Sequence, residues 1–331
     1  MSLPLQGGLA PADELVGDVV EIACDESGFS GTNLLDAASP VITHASVDLC
    51  PDEAAEMIAA LRSGSRYSLH EFKAGQLLRD SGAEEARTWF LTSLRGRAHV
   101  HLVDKEYFLV TRVVDLFLAE PSYAAGTRLT QGQRAAALVL HRAGRAAGRD
   151  WRAFLSAFVG LVRTKRRRVP DLGSVERFFL ARDALTAAGV GEAAAGVLDG
   201  LDRERVEAVL SRLHRDDRTI PPPLEPMLPA LAETVLFWSR GHRQVLVIHD
   251  EQSALTADRL RRLQSVLRDD AGSSPAGVSP LAGLVAVDSR DDPRVQVADL
   301  LAGLARRSAE SGHDGPLQPF LSPTSLRDAG R

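Results

Sequence analysis

Four apolar runs in this chain end on aspartate: Ile22-Ala-Cys-Asp25, His101-Leu-Val-Asp104, Val247-Ile-His-Asp250 and Val285-Ala-Val-Asp288. Runs of this kind read as strands from the buried middle of a sheet with helices on both faces. The carboxyl ends of parallel strands form the crevice where α/β proteins bind their ligands. Parallel neighbours would bring their terminal carboxylates together there. Like charges that close repel and desolvate badly unless a cation or a proton intervenes. Several acids at one crevice therefore point to a metal site. Each aspartate alone also has a plainer reading. Between a strand and a helix, Asp is a common N-cap, because its side chain accepts an orphan backbone N–H. Asp104, just before Lys105-Glu-Tyr, fits that role, and Asp288 fits a turn through Asp288-Ser-Arg-Asp-Asp-Pro293.

Two further acids join the pattern. Glu71 stands in His70-Glu-Phe-Lys73, between the second and third strand-like runs, and Asp299 stands in Gln296-Val-Ala-Asp-Leu-Leu-Ala-Gly303. On a helix, Val297, Leu300, Leu301 and Leu304 make the core stripe. Gln296, Asp299 and Gly303 then fall on the stripe beside it. An Asp at the edge of a buried stripe, with Ala298, Ala302 and Gly303 leaving room, suits the wall of a site. After Asp25-Glu26, the small Ser27 and Gly28 let the chain turn sharply and leave a carboxylate unobstructed.

The elements that must carry these residues follow from hydrophobic periodicity and its punctuation. Residues 1–16 read as a flexible leader. Strands are expected at Val19–Cys24, Val41–Leu49 and Ala98–Val103, with helices at Pro51–Arg62, near Ala83–Leu94 and after Asp104. From about 122 to 240 the chain is rich in Ala, Leu and Arg and shows no strand signal. This reads as an insertion of four to six helices, broken near 144, 170, 189, 200 and 221–229. Its run Arg163-Thr-Lys-Arg-Arg-Arg168 is the most basic segment, with a solvated helix end as its plain reading. The α/β pattern then returns, with a strand at Gln244–His249, a helix at Thr256–Leu267, a short strand at Leu284–Val287 and a helix at Arg294–Arg307. The expected division is a leader 1–16, a core of 17–121 and 241–310, a helical insertion 122–240 and a loose tail 311–331. The insertion would either shape access to the acid cleft or pair across a two-fold axis in a homodimer.

Composition sets the outer bounds. The chain has 331 residues, 44% hydrophobic and 25% charged, enough for a real core rather than disorder. The net charge of −5 lacks the basic surplus usual in a protein that mainly grips nucleic acid, so nucleic-acid binding would need a local patch. Cys24 and Cys50 form no disulfide framework. The start lacks a basic n-region and a long apolar stretch, and no run is long enough to cross a membrane, so the expectation is a cytoplasmic protein.

Five of these motifs occur in one order: Asp25-Glu-Ser-Gly after a strand, Glu71-Phe-Lys, Asp104-Lys105, Asp250 after an apolar strand, and Asp288-Ser with Gln296-Val-Ala-Asp-Leu-Leu-Ala-Gly303. Together they resemble the bacterial family known as domain of unknown function 3800, grouped with ribonuclease-H-like folds. The resemblance spans roughly residues 19–305 and fades over 120–240. It implies an α/β fold with a mixed sheet, helices on both faces, and a nuclease-type site. In such enzymes one Asp lies on the first central strand, an acid on a following helix, an Asp at another strand end, and an Asp on the last helix. Carried over, these are Asp25, Glu71, Asp250 and Asp299. Asp104 competes with Asp250 for the third place; Asp250 is preferred because its strand is more apolar and so more central. Glu26, Lys73, Asp104, Asp288 and Gln296 are candidates for the shell around them. His249 reads more simply as a half-buried residue at a strand end.

The chemistry implied is phosphodiester hydrolysis by paired Mg²⁺ or Mn²⁺ ions about 3.5–4 Å apart, on DNA or RNA. Hard cations want oxygen ligands, which carboxylates supply. Two other functions fit the same fold: a module that binds nucleic acid or a protein without cutting, and a phosphohydrolase acting on a small nucleotide.

Overall fold

The computed structural model describes residues 7–11, 17–29, 31, 33–63, 83–127, 133–163, 172–270, 278–312 and 315–328. The order along the chain begins β1 (Val19–Ser27), β2 (Val41–Val47), α1 (Pro51–Ser63), α2 (Ala83–Ser93), β3 (Ala98–Asp104) and α3 (Lys105–Phe117). Helices follow, with no strand among the described residues: α4 (Tyr123–Thr127), α5 (Arg134–Ala146), α6 (Arg149–Val162), α7 (Leu172–Ala187), α8 (Glu192–Asp199), α9 (Arg203–His214) and α10 (Met227–Ser239). The chain then forms β4 (Gln244–Asp250), α11 (Ala257–Asp270), β5 (Leu281–Val287), α12 (Pro293–Ser311) and a 3₁₀ turn at Gly315–Phe320. It is an α/β protein with a five-stranded mixed sheet of order β3-β2-β1-β4-β5. Among the described residues, no helix is long and apolar enough to cross a membrane.

The chain divides into two compact units. The first comprises Met1–Phe29, Val41–Leu102 and Ala230–Ser325. Its centre is β1, antiparallel to β2 and parallel to β4, with β5 parallel to β4 beyond. Alternation along the strands sorts side chains onto two faces. Ala23, Ala45, Val47, Val100 and Ile248 point to one face and join a core with Met57 and Ile58 of α1, Phe90 of α2, and Val297, Leu300 and Leu301 of α12. The other face of β2 meets α10, where Trp238 Nε1 donates to Ser46 Oγ at 2.8 Å.

Several expectations need correction. β1 does not stop at Cys24. Asp25, Glu26 and Ser27 remain paired with Ala45, His44 and Thr43 of β2, although pairing with β4 ends at Cys24↔His249. The leader is structured in part: Leu9 exchanges backbone hydrogen bonds of 2.7 and 2.8 Å with Leu284. β5 accordingly starts at Leu281, three residues earlier than the apolar signal. Gly283 sits where this segment crosses, and a Cβ there would lie 2.8 Å from Pro11 N. The tail is packed rather than loose. Leu317 and Phe320 enter the core of the first unit, and Ser322 N donates to Val100 O at 2.8 Å. A segment lacking periodicity can still be fixed when its backbone finds a sheet edge.

The second unit comprises Ser30–Pro40, Val103–Pro229 and Leu326–Arg331. Helix α3 is its hub, buried along almost its whole length, which its mixture of Val, Leu, Phe and Tyr requires. Around it Phe117, Phe154, Phe158 and Phe178 stack edge-on and tilted, with centroids 5.4 to 6.5 Å apart. Among the described residues from Tyr123 to Ser239 there are seven helices rather than four to six, because the chain also closes single turns such as α4. Gly144, expected as a break, lies inside α5. Its missing side chain admits Trp151 of α6, since a Cβ there would meet the indole ring at 2.2 Å.

Candidate functional site

The acids of interest in the first unit come from three elements. Asp25 lies on β1, two residues beyond core residue Ala23 and on the same face of the sheet. Asp250 ends β4, and one residue past the paired rung Cys24↔His249 the two strands place Asp25 and Asp250 on adjacent chains. Asp299 lies on α12 among buried Val297, Ala298, Leu300 and Leu301, and α12 packs on β1, β2 and β4. Pairing between β1 and β4 ends at this rung, and the ends of parallel strands are where α/β proteins bind their ligands.

Electrostatics tie these groups together. Asp25 is only 6% exposed, and its Oδ1 accepts from the Glu26 backbone N–H at 2.7 Å. Burial pushes its carboxyl well above the ordinary aspartate range, and the charges of Glu26, Asp299 and Asp250 push it further in that direction. Glu26 responds similarly. Burial, with contributions from Asp250 and Asp299, raises it to about 7, against the opposing hydrogen bond from Gln252. Gln252 Nε2 donates to Glu26 Oε1 at 2.5 Å, while Glu26 Oε2 is shielded from solvent with no hydrogen-bond partner. Asp250 is oriented by the Ser289 backbone N–H, which donates to Oδ1 at 3.0 Å. Beyond Glu26, Ser27 accepts from Arg306 of α12, and Gly28 takes φ +88° to carry the chain away, as the small residues there imply.

The remaining candidates have other employment or lie elsewhere. Glu71 and Lys73 fall outside the described residues. Asp104 caps α3, its Oδ1 accepting from Tyr107 N at 3.0 Å. Asp288 is held within its own turn by the backbone N–H and guanidinium of Arg290, which lower its carboxyl to about 2. Gln296 accepts from Arg62 at 3.3 Å and so links α12 to α1. Gln252 carries no signal along the chain, because it stands in a polar turn without periodicity. His249, expected to be half-buried, is fully buried, on the face opposite Ile248.

A hard divalent cation suits this donor set in kind and in charge. Carboxylate oxygens are its preferred ligands, and the orphaned Glu26 Oε2 is a buried anionic oxygen in need of a partner. As the side chains stand, no three potential ligands among the described residues surround a common point. Asp25, Asp250 and Asp299, with Glu26 beside them, are the residues that would hold a cation here.

Compared with protein-family models, curated proteins and solved structures, the chain matches none.

Proposed function

We propose that this chain is a metal-dependent nuclease with a ribonuclease-H-like core, related to the family known as domain of unknown function 3800. Its site would comprise Asp25, Glu71, Asp250 and Asp299, and would take Mg²⁺ or Mn²⁺ to hydrolyse phosphodiester bonds in DNA or RNA. One observation carries this reading. Burial, and after it the charges of Glu26 beside it on the central strand, of Asp299 on the last long helix and of Asp250 at the end of the parallel neighbour, hold Asp25 toward its protonated form. A protein gains nothing in stability from burying mutually repelling acids, and a cation relieves the repulsion. The placement also follows the order that the sequence resemblance implies: first strand, second strand end, last helix.

When bound, paired divalent ions supply an activated water and stabilise the leaving oxygen. The chain's own contributions are positional. The end of β1–β4 pairing sets the spacing of Asp25 and Asp250, the Ser289 N–H fixes the Asp250 carboxylate, and Gln252 holds Glu26 through Oε1 and leaves the buried Oε2 available. Glu26, bearing a carboxyl raised to about 7, is equipped to hold a proton near neutral pH and to give it up to water where a cation takes its place.

The test incubates the full chain with labelled single- and double-stranded DNA and RNA in Mg²⁺ or Mn²⁺. The expected outcome is cleavage that EDTA abolishes. Binding without cleavage would support a binding module instead, and release of phosphate from mononucleotides alone would support a phosphohydrolase.

A further inference from the structure

Behind the acid-bearing face of the sheet, β2, β3, β4 and α10 enclose four histidines: His44, His99, His101 and His249, each at most 1% exposed. Two of them form a chain with a defined direction. His249 Nδ1 lies 2.8 Å from the backbone carbonyl oxygen of Asp250. A carbonyl oxygen only accepts, so Nδ1 carries the proton. The ring is wholly buried and its two nitrogens face a backbone carbonyl and a second imidazole, neither of which carries a counter-charge, so it is neutral and its Nε2 is an acceptor. His44 Nε2, 3.1 Å from that atom, must then be the donor. Its own Nδ1 accepts from the Thr234 hydroxyl of α10 at 3.0 Å. The two rings stack with centroids 5.2 Å apart.

We propose that Thr234, His44 and His249 are positioning residues that lock the Asp250 backbone at the end of β4 and thereby set the carboxylate that a cation would use. This rests on the metal-site reading above. The argument is geometric. Asp250 is the last residue of β4; pairing to β1 has already ended there, and the ladder holds it on the β5 side alone, opposite Val287, so its carbonyl orientation also depends on what else binds it. Two further contacts hold Asp250: Ser289 N–H on the carboxylate and His249 on the carbonyl. If His249 changed tautomer, Nδ1 would become an acceptor facing a carbonyl oxygen, and the peptide would have to rotate. The donor from His44 prevents that change, and the Thr234 hydroxyl in turn fixes His44. Groups that orient a metal ligand from behind usually contribute about 10–100-fold in metal affinity.

The experiment measures Mn²⁺ affinity of the full chain by electron paramagnetic resonance, with melting temperature in parallel, for wild type and four variants. The Asn amide nitrogen of His249→Asn stands in for Nδ1–H, and the side-chain amide of His249→Gln stands in for Nε2. In the same way, His44→Gln keeps a donor toward His249 and His44→Phe removes it. The expected result is near wild-type affinity for His249→Asn and His44→Gln, and a loss of about tenfold or more for His249→Gln and His44→Phe. A merely structural role would weaken all four in step with their melting temperatures, or leave affinity unchanged in all, and either pattern overturns the proposal. Long-range ¹H–¹⁵N spectra of wild type read the tautomers without metal; a His249 protonated at Nε2 overturns it independently. Wild type that binds no Mn²⁺ removes the metal reading and the positioning role together. Wild type that binds Mn²⁺ but cuts nothing removes only the nuclease.

Discussion

Asp25 concentrates the conflict of the site in one side chain. It is buried, it accepts one backbone hydrogen bond, and three other carboxylates raise its proton affinity. Asp25→Asn keeps its shape and removes its charge. In the metal-free protein the substitution relieves repulsion, so the melting temperature should rise by a few degrees, on the order expected for about 1 kcal/mol. Wild type should gain stability from Mn²⁺ by mass action, and the variant should lose most of that gain together with cleavage. Melting curves with and without Mn²⁺, paired with cleavage rates, decide the matter. An active variant still stabilised by Mn²⁺ removes Asp25 from the site. Asp104 predicts the reverse. Its carboxylate caps α3, so Asp104→Ala should cost about 1 kcal/mol while cleavage and Mn²⁺ affinity stay at wild-type levels. A tenfold loss of Mn²⁺ affinity in that variant would make Asp104 a ligand after all.

The elements were legible to different degrees, for physical reasons. β1, β2, β3 and β4 announce themselves because continuous apolar runs of four to eight residues bounded by polar turns have few other homes. Helices α1 and α12 carry apolar stripes at helical spacing, and α12 adds Asp292 as its cap and Pro293 in its first turn. What stayed hidden is backbone pairing by segments without a pattern. Gly7-Gly-Leu9 reads as a loose leader, yet Leu9 bridges to Leu284 and Gly8 N donates to Leu255 O at 2.8 Å. The segment covers part of an exposed strand edge, which would otherwise present unpaired N–H and C=O groups. Gly283→Ala tests this arrangement. A methyl group at that position would meet Leu9 O at 2.9 Å and Pro11 N at 2.8 Å, both backbone atoms. The N-terminal segment should lift away, and hydrogen exchange at Leu9 and Leu284 should speed up while Val247 stays protected. Unchanged exchange at both positions would mean that the bridge does not order this edge.

At the scale of the molecule, the acids could be found in the sequence because they terminate recognisable strands, whereas their partners could not. Gln252, Ser289, His44 and Thr234 become relevant only once β2, β4, α10 and the turn after β5 meet, and no spacing along the chain encodes that meeting. The pH dependence of stability is likewise a property of the assembled protein, and its contributions oppose one another. Buried His44, His99, His101, His141 and His249 all have lowered values, with His99 and His101 at about 3. Each binds a proton more readily when unfolded, so each adds stability as pH rises toward the ordinary histidine value. Glu26 acts in the other sense. The unfolded carboxyl releases its proton near 4.5, whereas the folded one keeps it to about 7. Across that window the folded state binds more protons, so this group's contribution falls as pH rises, by at most about 1.4 kcal/mol per pH unit, and is gone above 7. Because the histidines mask it in the total, the difference between two proteins is the quantity to measure. The stability of Glu26→Gln minus that of wild type, in EDTA, should grow from pH 4.5 to 7 and then level off, since the amide has no charge to bury. Chemical denaturation at half-unit pH steps gives the curve. Saturating Mn²⁺ should flatten it by stabilising the wild-type carboxylate, and a difference independent of pH would show that Glu26 ionises there without penalty.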